Sequence, residues 1–141
     1  MYSYRDKKVV IVVGDALEPW IVLNVVGHLS LAIGAALSKE LMGRFEHVDA
    51  SGYQHRGICK YPIVVLKAKH AKISEIITIA RSSPGLIMSD YPKQMLDTRH
   101  DDELTEAIAS TKGDEFQYFG VLLYGSPEEL KALTGKLSLW K

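Results

Sequence analysis

The chain has 141 residues, of which 47% are hydrophobic and 24% charged, with 17 basic and 17 acidic side chains. That length fits one domain over residues 1–141, with a core large enough to stand without staples. A net charge of zero argues against a coat for nucleic acid or for an anionic membrane, and the single cysteine, Cys59, excludes an internal disulfide and a cysteine-based zinc ribbon.

The opening residues MYSYRDKK are polar and lead into Val9–Val13, a β-branched run that suits a central strand covered on both faces. No apolar leader with a small-residue cleavage site precedes it, and the expected location is the cytoplasm. The turn Gly14-Asp15-Ala16-Leu17-Glu18-Pro19 follows, with proline pre-set for the first turn of a helix. The helix is predicted from Trp20 to Leu41 or Met42, with a break near Gly27 and a stop at Gly43. Asn24, His28 and Ser30 interrupt its apolar content, which favours a buried helix over a membrane span.

From Gly43 to Tyr61 the chain is polar and aperiodic, which predicts loop with a short strand near Phe45–Val48. Tyr53, His55, Arg56 and Lys60 gather there and could grip a phosphate or stack a base, or form a solvated loop. Ile63–Lys67 is the second strand, and Ala71–Arg81 a helix with one apolar stripe through Ile73, Ile76, Ile77 and Ala80. Leu86–Met88 is a short third strand running into Ser89-Asp90-Tyr91-Pro92. Asp101–Ala109 is a helix with acidic residues at its positive end and Leu104, Ala107 and Ile108 facing inward. Tyr118–Tyr124 is the fourth strand. Ser126-Pro127-Glu128-Glu129 then places an N-cap serine, an N1 proline and an N3 glutamate ahead of Leu130, Leu133 and Leu137, with the helix ending near Gly135. Strands alternating with helices predict an α/β fold, a three-layer α/β/α sandwich on a four-stranded mixed sheet with its first two strands parallel.

The common nucleotide and hydrolase signatures are absent: no GxGxxG, no GxxxxGK[ST] and no GxSxG. The five histidines, His28, His47, His55, His70 and His100, have no metal-ligand spacing, so neither a metal nor a cofactor is expected. The best candidate site is Asn24 with His28, four apart on one helical face, with an acid in reach. Asp15 and Glu18 follow the first strand and Asp90 follows the third, where ligands of open α/β sheets gather. His28 as general base, Asn24 beside it and Asp90 as orienting acid make the candidate catalytic group. The alternative is a histidine donating to a backbone carbonyl and an asparagine capping a helix break.

The strand, turn and small-residue helix with histidine, together with the ending GVLLYGSPEELKALTGKLSLW, resemble the type-2 peptidyl-tRNA hydrolase fold. Thr134-Gly135-Lys136-Leu137-Ser138-Leu139 follows that family's closing segment. The chain is still more similar to an uncharacterised bacterial family of unknown function grouped with the same fold, whose helix carries Asn-Val-x-x-His, here Asn24-Val25-Val26-Gly27-His28. The resemblance implies that fold over nearly the whole chain. Aligned on His28, Ile21 and Val25 stand where the hydrolases carry lysine and glutamine, and Asp90 keeps the aspartate of their loop. Without the lysine there is no cation at that point for a phosphate or a developing oxyanion. The expected function is a small-molecule or nucleotide-like ligand pocket near the first helix, with any chemistry hydrolytic and His28 as base. The alternative is a non-catalytic module on the same fold that forms a homodimer through an apolar face or binds RNA weakly, with no membrane partner.

Overall fold

The structure is a computed structural model and describes residues 5–141. Its main sheet is built on β1 (Lys8–Gly14), which is buried almost throughout, as its β-branched run requires. β4 (Ile63–Ala68) pairs with β1 in parallel, Ile11 opposite Val65. β6 (Tyr118–Gly125) pairs antiparallel on the other side of β1, Ile11 opposite Leu122. β5 (Ile87–Pro92) and β7 (Ser138–Leu139) add antiparallel edges, giving the order β5-β6-β1-β4-β7. β1, β4 and β5 therefore run the same way, so their carboxyl ends lie at one end of the sheet. The first two strands of the main sheet are parallel as expected.

The sheet has five strands rather than the expected four. β7 is only two residues long, Ser138–Leu139, and pairs with Lys67 and Leu66; so short a strand leaves no periodic trace. β5 extends past Met88 to Pro92, because antiparallel pairing with β6 continues through Ser89, Asp90 and Tyr91.

Helices cover both faces. On one, α1 (Pro19–Ala36) lays Val22, Val25, Leu29 and Ile33 over Val9, Ile11, Val13, Leu122 and Tyr124. On the other, α3 (His70–Arg81) and α6 (Pro127–Thr134) pack Ile73, Ile76, Ile77, Ala80 and Leu130 on Val10, Val12, Val121 and Leu123. The close seat of α1 has a specific cause. A Cβ on Gly120 of β6 would lie 2.7 Å from Val25 Cγ1, so only glycine lets helix and sheet approach so nearly.

α1 does not break at Gly27. It ends at Ala36, Leu37 leaves helical geometry, and a separate turn α2 (Ser38–Leu41) follows. The stretch after it is largely loop, and the expected short strand is present as β2 (Glu46–Val48); what was not expected is its partner β3 (Gln54–Arg56), which completes a hairpin whose six strand residues are all exposed. Asp49 turns the hairpin by accepting the backbone N–H of Ser51 and Tyr53, and Gly52 supplies the one positive φ among the described residues, +88°. A short α4 (Gln94–Asp97) and α5 (Asp101–Ala109) bridge β5 to β6, with Leu104, Ala107 and Ile108 half-buried as their spacing predicts. At α6, Ser126 Oγ accepts the Glu129 backbone N–H at 3.3 Å, the predicted cap.

Candidate functional site around the first helix

α1 is an uncommon surface helix. None of its 18 residues is Asp, Glu, Lys or Arg, yet only one stripe of it faces the sheet. Its length and composition would allow it to cross a membrane, but here Val22, Val25, Leu29 and Ile33 belong to the core. The helix carries both halves of the predicted pair, near the carboxyl ends of the parallel strands.

Asn24 and His28 are brought together, along with a residue that the sequence reading did not include. Tyr91, at the end of β5 and buried under α1, donates its hydroxyl proton to Asn24 Oδ1 at 2.9 Å. Burial pushes the Tyr91 phenol above its ordinary value, so the hydroxyl stays a donor. The Tyr91 ring meets His28 edge to face, with centroids 6.0 Å apart. His28 itself is exposed, and its Nδ1 lies 2.9 Å from the Asn24 backbone oxygen. A carbonyl can only accept, so in the neutral ring the proton sits on Nδ1 and the Nε2 lone pair is open to solvent. His28 is thus bound to a backbone carbonyl, as the alternative reading has it, whereas Asn24 caps no break, because α1 runs on unbroken.

Asp90 does not join them. Successive side chains of a strand point to opposite faces, and Tyr91 faces α1. Asp90 accordingly faces α3, where its Oδ2 lies 3.8 Å from Arg81 Nη2. The expected convergence of Asn24, His28 and Asp90 therefore fails by one residue of strand register, and Tyr91 occupies the place assigned to the acid. Burial raises the Asp90 carboxyl above its ordinary range, with Arg81 pulling the other way. Arg81 also donates to the Tyr118 hydroxyl at 3.2 Å. The remaining acids after the first strand are exposed, and Glu18 accepts the Trp20 indole N–H at 2.8 Å.

A second polar cluster lies toward the opposite end of the α1 face. Tyr124, buried, donates to Glu40 Oε1 at 2.7 Å and lies beside the Tyr61 ring. Burial, then the bond to Glu40, pushes the Tyr124 phenol far above its ordinary value. In the hairpin, His55 Nε2 lies 3.1 Å from Asp49 Oδ2, and Tyr53 and Arg56 are exposed. Among the described residues, no group of His, Cys, Asp and Glu side chains is arranged to hold a metal ion.

Among the described residues, space for a ligand is present along α1, beyond His28. An apolar cavity of about 300 Å³ opens between the second half of the helix, the 57–59 segment and the sheet. Val9, Ile33, Leu41, Ile63 and Leu122 form its apolar wall, and Ser30, Ser38 and Cys59 are its polar side chains. No charged side chain lines it. On the far face a cavity of about 270 Å³ is lined by Thr78, Arg81, Asp114 and Tyr118, where Arg81 is already engaged by Asp90 and Tyr118.

A family model described as "Protein of unknown function (DUF2000)" matches residues 7–141. The solved structure of a protein of unknown function from Agrobacterium tumefaciens strain C58 is similar over 100% of both chains, with a TM-score of 0.85 at 23% identity. At that identity the likeness establishes a shared fold. No curated protein matches the chain.

Proposed function

The chain belongs to the DUF2000 family of proteins of unknown function, and we propose that it binds a small, largely apolar molecule in the cavity beside the second half of α1. The observation that carries this reading is the lining. A concave, mostly hydrophobic space with a few polar groups is the usual form of a small-molecule site, and about 300 Å³ is the lower end of the usual range. The Ser30 and Ser38 hydroxyls would orient a hydroxyl, carbonyl or amide on the ligand. A phosphate-bearing, nucleotide-like ligand finds no cation in the lining, so the apolar class is favoured. The type-2 peptidyl-tRNA hydrolase-like architecture stays part of this reading, supported by the Asn24–His28 helix and the Thr134-Gly135 ending, as does a cytoplasmic location.

Binding of a linear alcohol series from butanol to decanol, followed by NMR shifts of the Ile33 and Ile63 methyls, tests the proposal. Binding should strengthen with chain length until the cavity is full. Gly34→Leu should fill the space and abolish binding while the helix gains from losing a glycine, about 0.5–1 kcal/mol. Shifts that persist in Gly34→Leu would remove the cavity from the account.

A second reading keeps His28 as the base of a hydrolase, and the observation favouring it is the Nδ1 bond that leaves Nε2 as an exposed acceptor. Hydrolysis of p-nitrophenyl esters and of peptidyl-tRNA, parent against His28→Ala, decides it: equal rates would end the reading.

A further inference from the structure

We infer that the outward face of α1 is the contact between two copies of this chain, crossing about a two-fold axis at Gly27. Trp20, Leu23 and Leu31 on that face are 58%, 65% and 77% exposed, in a helix without a charged side chain. An apolar helix that buries one stripe and leaves the rest to water is an unfinished contact. Beside its second half stands Ile58, 81% exposed at the rim of the cavity that Gly34 also lines. The face therefore extends from the helix to the 57–59 segment.

The face suits a second copy of the chain. Trp20, Leu23, Leu31 and Ile58 are each more than half exposed, large apolar side chains of the kind that form the core of an interface burying about 800 Å² on each side. The absence of charge excludes a partner chosen by charge complementarity and suits a partner presenting the same face. The sequence is also self-complementary. Leu23 and Leu31 lie four residues to either side of Gly27, on one helical stripe. Nothing approaches within 4 Å of where a Gly27 side chain would begin. Two such helices crossing antiparallel at Gly27 would seat Leu23 of each against Leu31 of the other, an isologous contact that closes on itself. A lipid surface is the less favoured occupant, because interfacial helices carry lysines and arginines beside their apolar face and α1 has none.

Sedimentation equilibrium of the full chain should give twice the chain mass at about 10 μM. Leu31→Lys, at a position exposed in the single chain, should weaken association by about 100-fold or more while its thermal melt stays that of an isolated folded domain. Gly27→Cys in a Cys59→Ser background should oxidise to a covalent dimer, whereas Lys112→Cys in the same background should not. A parent that is monomeric at about 100 μM overturns the inference. So does a dimer indifferent to Leu31→Lys, or one in which Gly27→Cys does not cross-link. A monomeric parent that sediments with neutral phosphatidylcholine vesicles, and loses this in Leu31→Lys, replaces the second copy with a lipid surface.

Discussion

The hydroxyl of Tyr91 and the side-chain oxygen of Asn24 are joined at 2.9 Å across the contact between the end of β5 and the first half of α1. This bond explains how a half-buried amide is accommodated on a largely apolar helix. It satisfies a phenol that is nearly fully buried, and it fixes the turn from which the Asn24 backbone oxygen receives the His28 ring. Tyr91→Phe should lower unfolding free energy by about 1–2 kcal/mol, because Asn24 Oδ1 then loses its donor. Asn24→Leu combined with Tyr91→Phe should recover part of that loss, since both polar partners are then gone. Urea titrations of the three variants check this, and a double variant weaker than the sum of the singles would show that the bond is not the unit of stabilisation.

A second expectation concerns the seat of α1. Gly120→Ala places a methyl group within 2.7 Å of Val25 Cγ1 and 3.1 Å of the Val12 carbonyl oxygen, neither of which has slack in a fully buried layer. The cost should be about 1–3 kcal/mol. Adding Val25→Ala should relieve the clash, so the double variant should cost less than the two singles combined. A fully additive result would mean that helix and sheet do not press on each other there.

Much of this arrangement is legible in the residues, and the rest is hidden for identifiable reasons. The Val9–Val13 run, the α3 stripe and the Ser126 cap act locally, so each marks its own element. β7 is too short to carry a period, and its place beside Leu66 and Lys67 is set only by tertiary contact. Of the hairpin only β2 is legible; β3 is exposed on both faces and shows no alternation, and the signal for the pairing lies in Asp49 and Gly52, which suit a tight turn. The Asn24–His28 pair was readable from helical spacing. Choosing Asp90 over Tyr91 as its neighbour needed the register of β5, and a one-residue difference in a strand moves a side chain to the opposite face. Carrying the alternation of β5 beyond Met88 would have placed Ser89 with Tyr91 and Met88 with Asp90.

The two faces of α1 should respond oppositely to truncation. Ile33→Ala removes a buried side chain from the contact with the sheet and should cost about 2–5 kcal/mol in chemical denaturation. Leu31→Ala, two residues away on the outward face, should change the stability of the separated chain by no more than about 0.5 kcal/mol. Measuring both at a concentration low enough to separate any copies isolates the intrachain term. A large loss for Leu31→Ala under those conditions would mean that its side chain packs within its own chain.

Asp90 gives a prediction whose sign follows from burial. Its carboxyl is raised above the ordinary value of 3.8, chiefly because the half-buried site disfavours the charge, with Arg81 offsetting only part of this. The native state therefore holds the Asp90 proton more tightly than the unfolded chain does. The contribution of Asp90 to stability is fully present below the unfolded value and is lost as pH rises through the higher folded value. Asp90→Asn keeps the shape and carries no charge, so it avoids that loss. Its melting temperature should match the parent near pH 3 and exceed it by about 1–3 °C near pH 7. Thermal melts across that range check the divergence. If Asp90→Asn were instead less stable at neutral pH, the ion pair with Arg81 at 3.8 Å would outweigh desolvation, and Asp90 would be a structural anchor of α3 on β5.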